Sequence, residues 1–423
     1  MDITSYLLGK QAGGGSTPTG EIPITENGVT NVSGYATANV NVQPDLESKS
    51  ITITENTTTT ITPTQGKDGM SSVEVTTNVP TGSGSVEEKD VDFIDYDGTL
   101  LYSYTKDEFL ALTAMPENPS HEGLTAQGWN WTLSDAKTYV TDYGMLVIGQ
   151  LYVTTSGLTE IDIELNQATG KSVDLKMSGT KNWGDGTSDT NQSHTYTNYG
   201  TYTITCDGKI GTNVRIFGQT NQLLNSYVKN IRLMSDENII QTQAFEYCRS
   251  LKTVILKNKH KYLGDTLFNE CRLLKAIVLP TAVEQIGSSE FYNCTNLEII
   301  SIAKTIPSVG SSTFNGCSKL RKIALPEVTS VPGSYLINCY ALERVVLPKT
   351  ITSFGSGILN RAYSMKEYDF SKYTSVPSLG DNNVFGGINQ LCRIIIPDAL
   401  YSTWISAQYW SNLSSQIVKA SEA

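Results

Sequence analysis

A hydrophobic pattern of long period dominates the second half of the chain. The motif F-x-x-C-x-x-L-x-x-I-x-L-P recurs with its first positions at Phe245, Phe268, Phe291, Phe314, Leu336, Leu359 and Phe385. These positions are 23, 23, 23, 22, 23 and 26 residues apart. A fixed period of this length, with Leu and Ile at set offsets, predicts a solenoid with one coil per repeat. Each L-x-x-I-x-L segment is expected to form one strand of a parallel sheet.

Shorter patterns organise the first half. Residues 21–44 and 50–80 look like two copies of one β module, each opening with I-T-E-N and closing on V-x-V at 40–42 and 73–75. The alternation predicts strands with one buried face. Each copy is too small to bury a core alone, so the copies are expected to pack on each other or on copies in neighbouring subunits.

Residues 86–150 show a different pattern. A strand, a turn at Asp97-Gly98 and a second strand are predicted, followed by a helix that starts at the capping box Thr105–Glu108. A second helix is predicted with Ser134 as its N-cap and Gly144 as its stop, followed by the strand MLVIGQLYV.

Residues 151–227 alternate polar and apolar positions in three segments, which predicts a β-sandwich. The W-G-D-G turn at 183–186, H-x-Y at 194–196 and G-x-Y-x-I at 200–204 resemble a PKD-like, immunoglobulin-type fold. That resemblance implies a tight turn in which Asp185 bonds backbone N–H groups, with His194 and Tyr196 at the sandwich edge. A Ca²⁺ site at Asp185, Asp189 and Asp207 is the alternative.

The repeats resemble the BspA-type leucine-rich repeat in the fuller pattern I-G-x-x-x-F-x-x-C-x-x-L-x-x-I-x-L-P. The expected fold is therefore mainly β and multidomain, with a small α+β module, a PKD-like sandwich and a solenoid whose end is covered by a helical cap. The predicted boundaries are 1–20 for a docking peptide and linker, 21–85 for the β modules and linker, 86–150, 151–227, 228–397 for the repeats and 398–423 for the cap.

Composition narrows the classes of partner. The net charge is −11, which argues against nucleic acid and anionic membranes as partners. Residues 87–123 concentrate acidic side chains, which we expect to form a solvated face. No apolar run is long enough to span a membrane, and neither a secretory signal nor an anchor is predicted.

Cysteine spacing indicates packing. Five cysteines occupy one repeat position: Cys248, Cys271, Cys294, Cys317 and Cys339. Because metal sites need closely spaced pairs and this chain has no C-x-x-C, we expect a buried ladder of thiols and predict no metal and no cofactor.

The outward residues of the solenoid sheet are the candidate binding surface. Nine of them form the predicted stripe: Thr253, Ile255, Val278, Ile299, Lys322, Arg344, Val346, Arg393 and Ile395. Its mixture of apolar and basic groups suits a protein or a glycan on a host surface. The alternative is that these are ordinary solvent-facing sheet residues.

Two other motifs offer chemistry. Asp95-Tyr96-Asp97-Gly98-Thr99 resembles the D-x-D-G-T motif of haloacid-dehalogenase-type phosphatases, which implies a nucleophile at Asp95, an acid/base at Asp97 and Mg²⁺ between them. We expect a hairpin turn instead and predict no catalytic residue, because the required strand–helix units do not follow. The aromatic cluster Trp129, Trp131, Tyr139 and Tyr143 could form a sugar platform, but a small core is favoured.

The opening MDITSYLLGK, the I-T-E-N modules and the DYDGTLLYSY segment resemble structural proteins of phages and prophages of Gram-positive, gut-type bacteria. The resemblance implies a virion-surface tail or receptor-binding protein that contacts other tail proteins through its N-terminus and host ligands through its repeats. A homotrimer would give the short β modules partners. The alternative is a bacterial cell-surface adhesin of the BspA-like type.

Overall fold

The computed structural model describes residues 89–210, 227–304, 306–389 and 391–423, together with three strands nearer the N-terminus. The chain divides into two compact units, residues 1–86 and 87–423. In the first unit, β1 (Glu21–Pro23), β2 (Thr37–Val42) and β3 (Ser71–Thr76) form one sheet. Strand β2 comes from the first predicted β module and β3 from the second, so the two copies share a sheet. The predicted docking peptide at 1–20 and the linker at 81–85 lie outside the described residues.

A small α/β module opens the second unit. Its elements are β4 (Val91–Ile94), β5 (Leu100–Tyr104), α1 (Lys106–Ala111), β6 (Leu124–Trp129), α2 (Leu133–Tyr143) and β7 (Leu146–Thr154). The strands are ordered β5-β4-β7-β6, and β4 runs parallel to β7.

Residues next to the helix ends determine where the two helices of this module begin and end. The capping box forms as predicted, because Glu108 N–H donates to Thr105 and Thr105 N–H donates to the Glu108 carboxylate. The N-cap of α2 is Thr132 and not Ser134, since the Thr132 hydroxyl accepts from Asp135 N–H. Gly144 ends α2 in the left-handed conformation at φ 77°.

Residues 159–206 form two small sheets. The strands are β8 (Thr159–Leu165), β9 (Ser172–Asp174), β10 (Lys181–Asn182), β11 (Ser188–Asp189), β12 (Ser193–Thr195) and β13 (Gly200–Cys206). Strands β9 and β12 pair with each other, and β11-β10-β13-β8 form the larger sheet. Strand β8 then pairs antiparallel with β14 (Val228–Leu233), which pairs parallel with the first repeat strand. The larger sheet is therefore continuous with the solenoid and crosses the predicted boundary at 227. The predicted boundary at 150 falls inside β7.

The repeats form a β-solenoid with one coil per repeat, as the sequence pattern predicts, and each coil has a second short strand that was not predicted. The main ladder comprises β16 (Thr253–Leu256), β18 (Ala276–Val278), β20 (Ile299–Ser301), β22 (Lys322–Ala324), β24 (Arg344–Val346), β26 (Glu367–Asp369) and β28 (Arg393–Ile396). The second ladder comprises β15 (Ile239–Ile240), β17 (Tyr262–Leu263), β19 (Gln285–Ile286), β21 (Ser308–Val309), β23 (Ser330–Val331), β25 (Ser353–Phe354) and β27 (Ser378–Leu379).

Stacked side chains fill the inside of each coil. The rings of Phe245, Phe268, Phe291 and Phe314 stack with centroids 5.4, 5.7 and 5.3 Å apart. The five ladder cysteines are buried and unoxidised. Four of their thiols donate to the carbonyl of the Phe in the preceding coil, as Cys317 does to Phe291 at 3.1 Å. The slot therefore uses the polar S–H group as well as volume.

The C-terminal end of the solenoid is covered by two buried tryptophans and one added strand. The predicted helical cap consists of the 3₁₀ turn Asp398–Leu400, α3 (Tyr401–Ser406) and the 3₁₀ turn Trp410–Leu413. It breaks at Ala407, whose backbone is extended. Trp404 and Trp410 pack against Phe370, and β29 (Ile417–Lys419) pairs with β28. These contacts shield the apolar interior of the last coil.

Candidate functional site

The predicted stripe lies on the outer face of the main ladder, but most of it does not meet solvent. A covering module, residues 89–154, lies across the first strands of this face. Its strand β7 contacts β16, β18, β20 and β22. The second unit therefore has two layers of sheet over the first half of the solenoid.

The apolar members of the stripe are buried beneath the covering module. Ile255, Val278 and Val346 are 4%, 5% and 6% exposed. Ile255 packs with Tyr152 and Met234, and Val278 packs with Leu151. The expectation that these side chains face solvent is therefore wrong. The module is too small to enclose a core of its own, and it completes one against the solenoid.

Buried hydrogen bonds fix this contact. The amide of Asn130 donates to the Leu279 carbonyl at 3.0 Å and to the Ser301 hydroxyl at 2.9 Å. Its oxygen accepts from Gly149 N–H at 2.9 Å, so one side chain joins β7 to two solenoid coils. The Trp131 indole donates to the Ile302 carbonyl at 2.9 Å. Each bond satisfies a polar group that would otherwise be costly to bury.

Two of the three basic members of the stripe form ion pairs with the module. Lys322 pairs with Asp92, and Arg344 meets Asp90 at 2.9 Å. At the rim, Lys304 binds Asp135 at 2.8 Å, and this hydrogen bond lowers the pKa of the Asp135 carboxyl. Part of the acidic segment 87–123 thus faces the solenoid, which corrects the expectation of a solvated acidic face.

Two stripe residues lie beyond the module. Arg393 is exposed on β28, and its guanidinium meets Glu367 at 2.8 Å. Ile395, on the same strand, is partly exposed. At the opposite end, the Thr253 hydroxyl donates to the side-chain oxygen of Asn230 on β14 at 2.7 Å. Ile299 is partly buried against the module.

The Asp95–Thr99 segment forms the predicted hairpin turn between β4 and β5. Asp95 is buried and its carboxylate contacts His121 at 2.6 Å, while Asp97 accepts from Thr99 N–H at 2.8 Å. Each carboxylate is therefore committed to a different partner. Sequence analysis did not identify His121, which lies in a Pro-rich loop and reaches Asp95 only through the fold.

The W-G-D-G turn has the geometry expected from its residues. The Asp185 carboxylate accepts from Thr187 N–H at 3.0 Å and contacts His194 at 2.7 Å. Burial raises the pKa of Asp185, but bonds from Thr187 and His194 outweigh it and lower the pKa to about 2. His194 stacks on Trp183, and the Tyr196 hydroxyl donates to the Trp183 carbonyl at 2.8 Å.

The three carboxylates of the alternative Ca²⁺ site are separately engaged. Asp189 accepts from the Trp183 indole at 3.0 Å, and Asp207 accepts from Thr180 N–H at 2.9 Å. Within the described ranges, no three His, Cys, Asp or Glu side chains gather as a metal site.

The clustered aromatics belong to the contact with the solenoid. Trp131 and Tyr139 are buried, and the Tyr139 hydroxyl donates to the Leu325 carbonyl at 2.7 Å. Trp129 packs edge-on against Phe93 at 4.8 Å. The core interpretation of this cluster therefore holds, and Trp131 and Tyr139 are not available as a sugar platform.

Comparison with known proteins identifies the repeats. Residues 219–343 and 323–421 match the BspA type Leucine rich repeat region (6 copies). No match to this chain was found among curated proteins. For the described part of the chain, no helix combines the length and hydrophobicity needed to cross a bilayer.

Three crystal structures of repeat proteins are similar in part. They are a leucine-rich repeat protein of T. pallidum (21% identity, 41% of this chain and 86% of that one, TM-score 0.30), one of Bacteroides ovatus (20%, 48% and 61%, 0.31) and a leucine-rich cell surface protein of Faecalibacterium prausnitzii (19%, 46% and 50%, 0.29). The chain spans less than two thirds of the second and third. The PKD-like and virion resemblances find no counterpart in these matches. The C-terminal part of this chain, residues 219–421, is therefore similar in sequence to the BspA type leucine-rich repeat region.

Proposed function

We propose that this chain is a non-enzymatic, adhesin-type protein displayed on a bacterial cell surface. The observation that carries the proposal is the BspA-type repeat region over residues 219–421, a type found in bacterial surface proteins. The matches are to repeat proteins and indicate no enzyme. They favour the adhesin over the virion protein expected from the N-terminal half, for which they give no support.

The geometry supports binding through surfaces other than the centre of the sheet. Ile255, Val278 and Val346 are buried under the covering module, so a ligand on that part would have to displace it. Three stripe residues at the two ends of the ladder, Thr253 on β16 and Arg393 and Ile395 on β28, keep part of their surface exposed and remain candidates for contact with a host protein or glycan.

Surface shaving of intact bacteria tests the location. Brief trypsin treatment of washed, unlysed cells should release peptides of this chain, while peptides of cytoplasmic marker proteins stay absent. Recovery of its peptides only after lysis would refute surface display. Recovery only from purified phage particles would favour the virion protein instead.

A further inference from the structure

The outer face of the continuous sheet stays open on the N-terminal side of the covering module. There the sandwich strands, β14 and two module loops enclose a groove of about 620 Å³, which we call the junction groove. Six residues mark its walls and floor: Tyr96, Glu122, Asp162, Thr201, Arg232 and Lys252. Its volume is typical of a pocket for a small ligand or a few sugar units.

The floor of the groove is polar because the polar residues of β8 all lie on one face of the strand. Alternate residues of a strand point to the same face, so Glu160, Asp162 and Glu164 of β8 all line the groove. Strand β14 contributes Lys229 and Arg232 beside them. The apolar alternates of β8, such as Ile161, point to the other face and are buried in the core.

Hydrogen bonds hold these side chains in fixed positions. Asp162 accepts from Thr203 at 2.9 Å, from Asn230 at 3.0 Å and from Arg232 at 3.0 Å. Arg232 also contacts Glu160 at 3.4 Å. The side chains of Asp162 and Arg232 nevertheless remain 23% and 24% exposed, so they present ordered edges to the groove. Such preorganisation reduces the entropy lost on binding.

The charges in the groove nearly balance. Glu122, Glu160, Asp162 and Glu164 face three cations, Lys229, Arg232 and Lys252. Near-neutrality disfavours a polyanion such as nucleic acid, which needs an excess of positive charge. The few apolar side chains in the lining, such as Leu124, offer no deep pocket of the kind that anchors a peptide.

We propose that the junction groove binds a neutral oligosaccharide. Carboxylate, amide and guanidinium groups each present paired acceptors or donors, which match the adjacent hydroxyl groups of a sugar ring. Tyr96 adds an amphipathic ring at the rim. The inference deepens the proposed adhesin function by naming the class of ligand, and it rests on that function.

The test is binding of the full-length protein to an immobilised panel of neutral, sialylated and sulfated glycans, followed by calorimetric titration with the strongest neutral glycan. Thr201 is exposed in the groove on β13, so Thr201→Trp should fill it and weaken binding by about tenfold or more. Glu122→Trp blocks the groove from the opposite, module wall. Thr197→Trp, exposed on the sandwich outside the groove, is the matched control and should bind as the unmodified protein does.

Several outcomes overturn the proposal. The proposal is wrong if the protein binds no neutral glycan, or binds only acidic glycans, peptides or proteins. It is also wrong if both blocking variants bind glycan as the unmodified protein does. The result of surface shaving is interpreted separately from the result of the glycan-binding experiment. Shaved peptides without glycan binding would refute the groove and leave surface display standing, and glycan binding by a chain that shaving never releases would refute surface display alone.

Discussion

Glu290 is a carboxylic acid in the apolar wall of the solenoid. It is fully buried, at the position that neighbouring coils fill with Leu267 and Thr313. Burial raises its pKa well above the usual range, and the backbone of Leu267 offsets this only in part. The folded protein therefore keeps this proton to a higher pH than the unfolded chain does. Its stabilising contribution is complete below the unfolded pKa and is lost as pH rises toward the folded pKa.

Replacing this carboxyl should change the pH dependence of stability. We expect Glu290→Gln to raise the free energy of unfolding at pH 8 by about 1–3 kcal/mol and to leave it nearly unchanged at pH 4. Urea unfolding at several pH values measures both. Glu298→Gln, at a half-exposed surface site, is the control and should shift stability by less than about 0.5 kcal/mol. Parallel curves for Glu290→Gln and the unmodified protein would contradict the prediction.

Thr266 is a β-branched residue in a left-handed backbone conformation, with φ 55°. Glycine occupies the matching position of a later coil, Gly357 at φ 64°. The left-handed conformation destabilises the folded state by about 1–2 kcal/mol for an L-residue, and glycine avoids this cost. Glycine in turn destabilises the folded state by about 0.5–1 kcal/mol, because its unfolded chain has more conformational entropy to lose. Thr266→Gly should therefore stabilise the protein slightly.

Thermal unfolding should show a rise in Tm for Thr266→Gly. The same change at Thr403, in the cap helix α3, should lower Tm because that backbone is helical. A destabilised Thr266→Gly would mean that the threonine side chain contributes more to the coil than its backbone conformation costs.

At the scale of elements, the decisive contact is β7 on the solenoid sheet. A Cβ atom at Gly149 would lie 2.4 Å from a methyl group of Val278. Because Gly149 has no side chain, β7 and the solenoid sheet can approach each other closely at this point. The amide of Asn130, bonded to Gly149 N–H, holds the same point from the module side.

Gly149→Ala should lower the free energy of unfolding by about 2–3 kcal/mol, because the core must shift to admit the methyl group. Val278→Gly in the same chain should restore part of this loss, and chemical unfolding of both single variants and the double variant measures the coupling. Thr125→Ala, on the exposed side of β6, is the control. Strictly additive losses would show that the two residues do not meet.

At the scale of the whole molecule, residues 87–423 form one compact unit. Its sheet continues from β8 through β14 into the repeats, and the covering module is hydrogen-bonded to four successive coils. Local opening of either layer would expose apolar surface on both, so the two layers should open together.

Hydrogen exchange should report this coupling. The amides of β7 and those of β18, β20 and β22 should exchange slowly and with similar protection. The amide of Ser156, in the exposed turn after β7, should exchange fast and serve as the internal reference. Fast exchange of β7 beside a protected solenoid would show that the covering module undocks on its own.

Much of the solenoid could be predicted because its rules are local and repeated. The pattern of one coil determines which of its residues point inward. The Phe, Cys and Leu positions then recur at the same offsets in the following coil. The capping box of α1 and the Asp185 turn were equally predictable, since each is completed within four residues. The helical cap was predicted as well, but its break at Ala407 was not.

The tertiary structure alone decided what covers the sheet. Val278 and Leu151 lie more than a hundred residues apart in the sequence, and nothing periodic links them. The outward stripe could be identified from the sequence, but its apolar and basic groups fit an intramolecular partner as well as an external one. The sequence determined that the solenoid has a long outer surface with both apolar and basic side chains. The fold determined that its centre is interior and that the open junction groove lies beside it, because only folding brings the acidic module and the basic coils together.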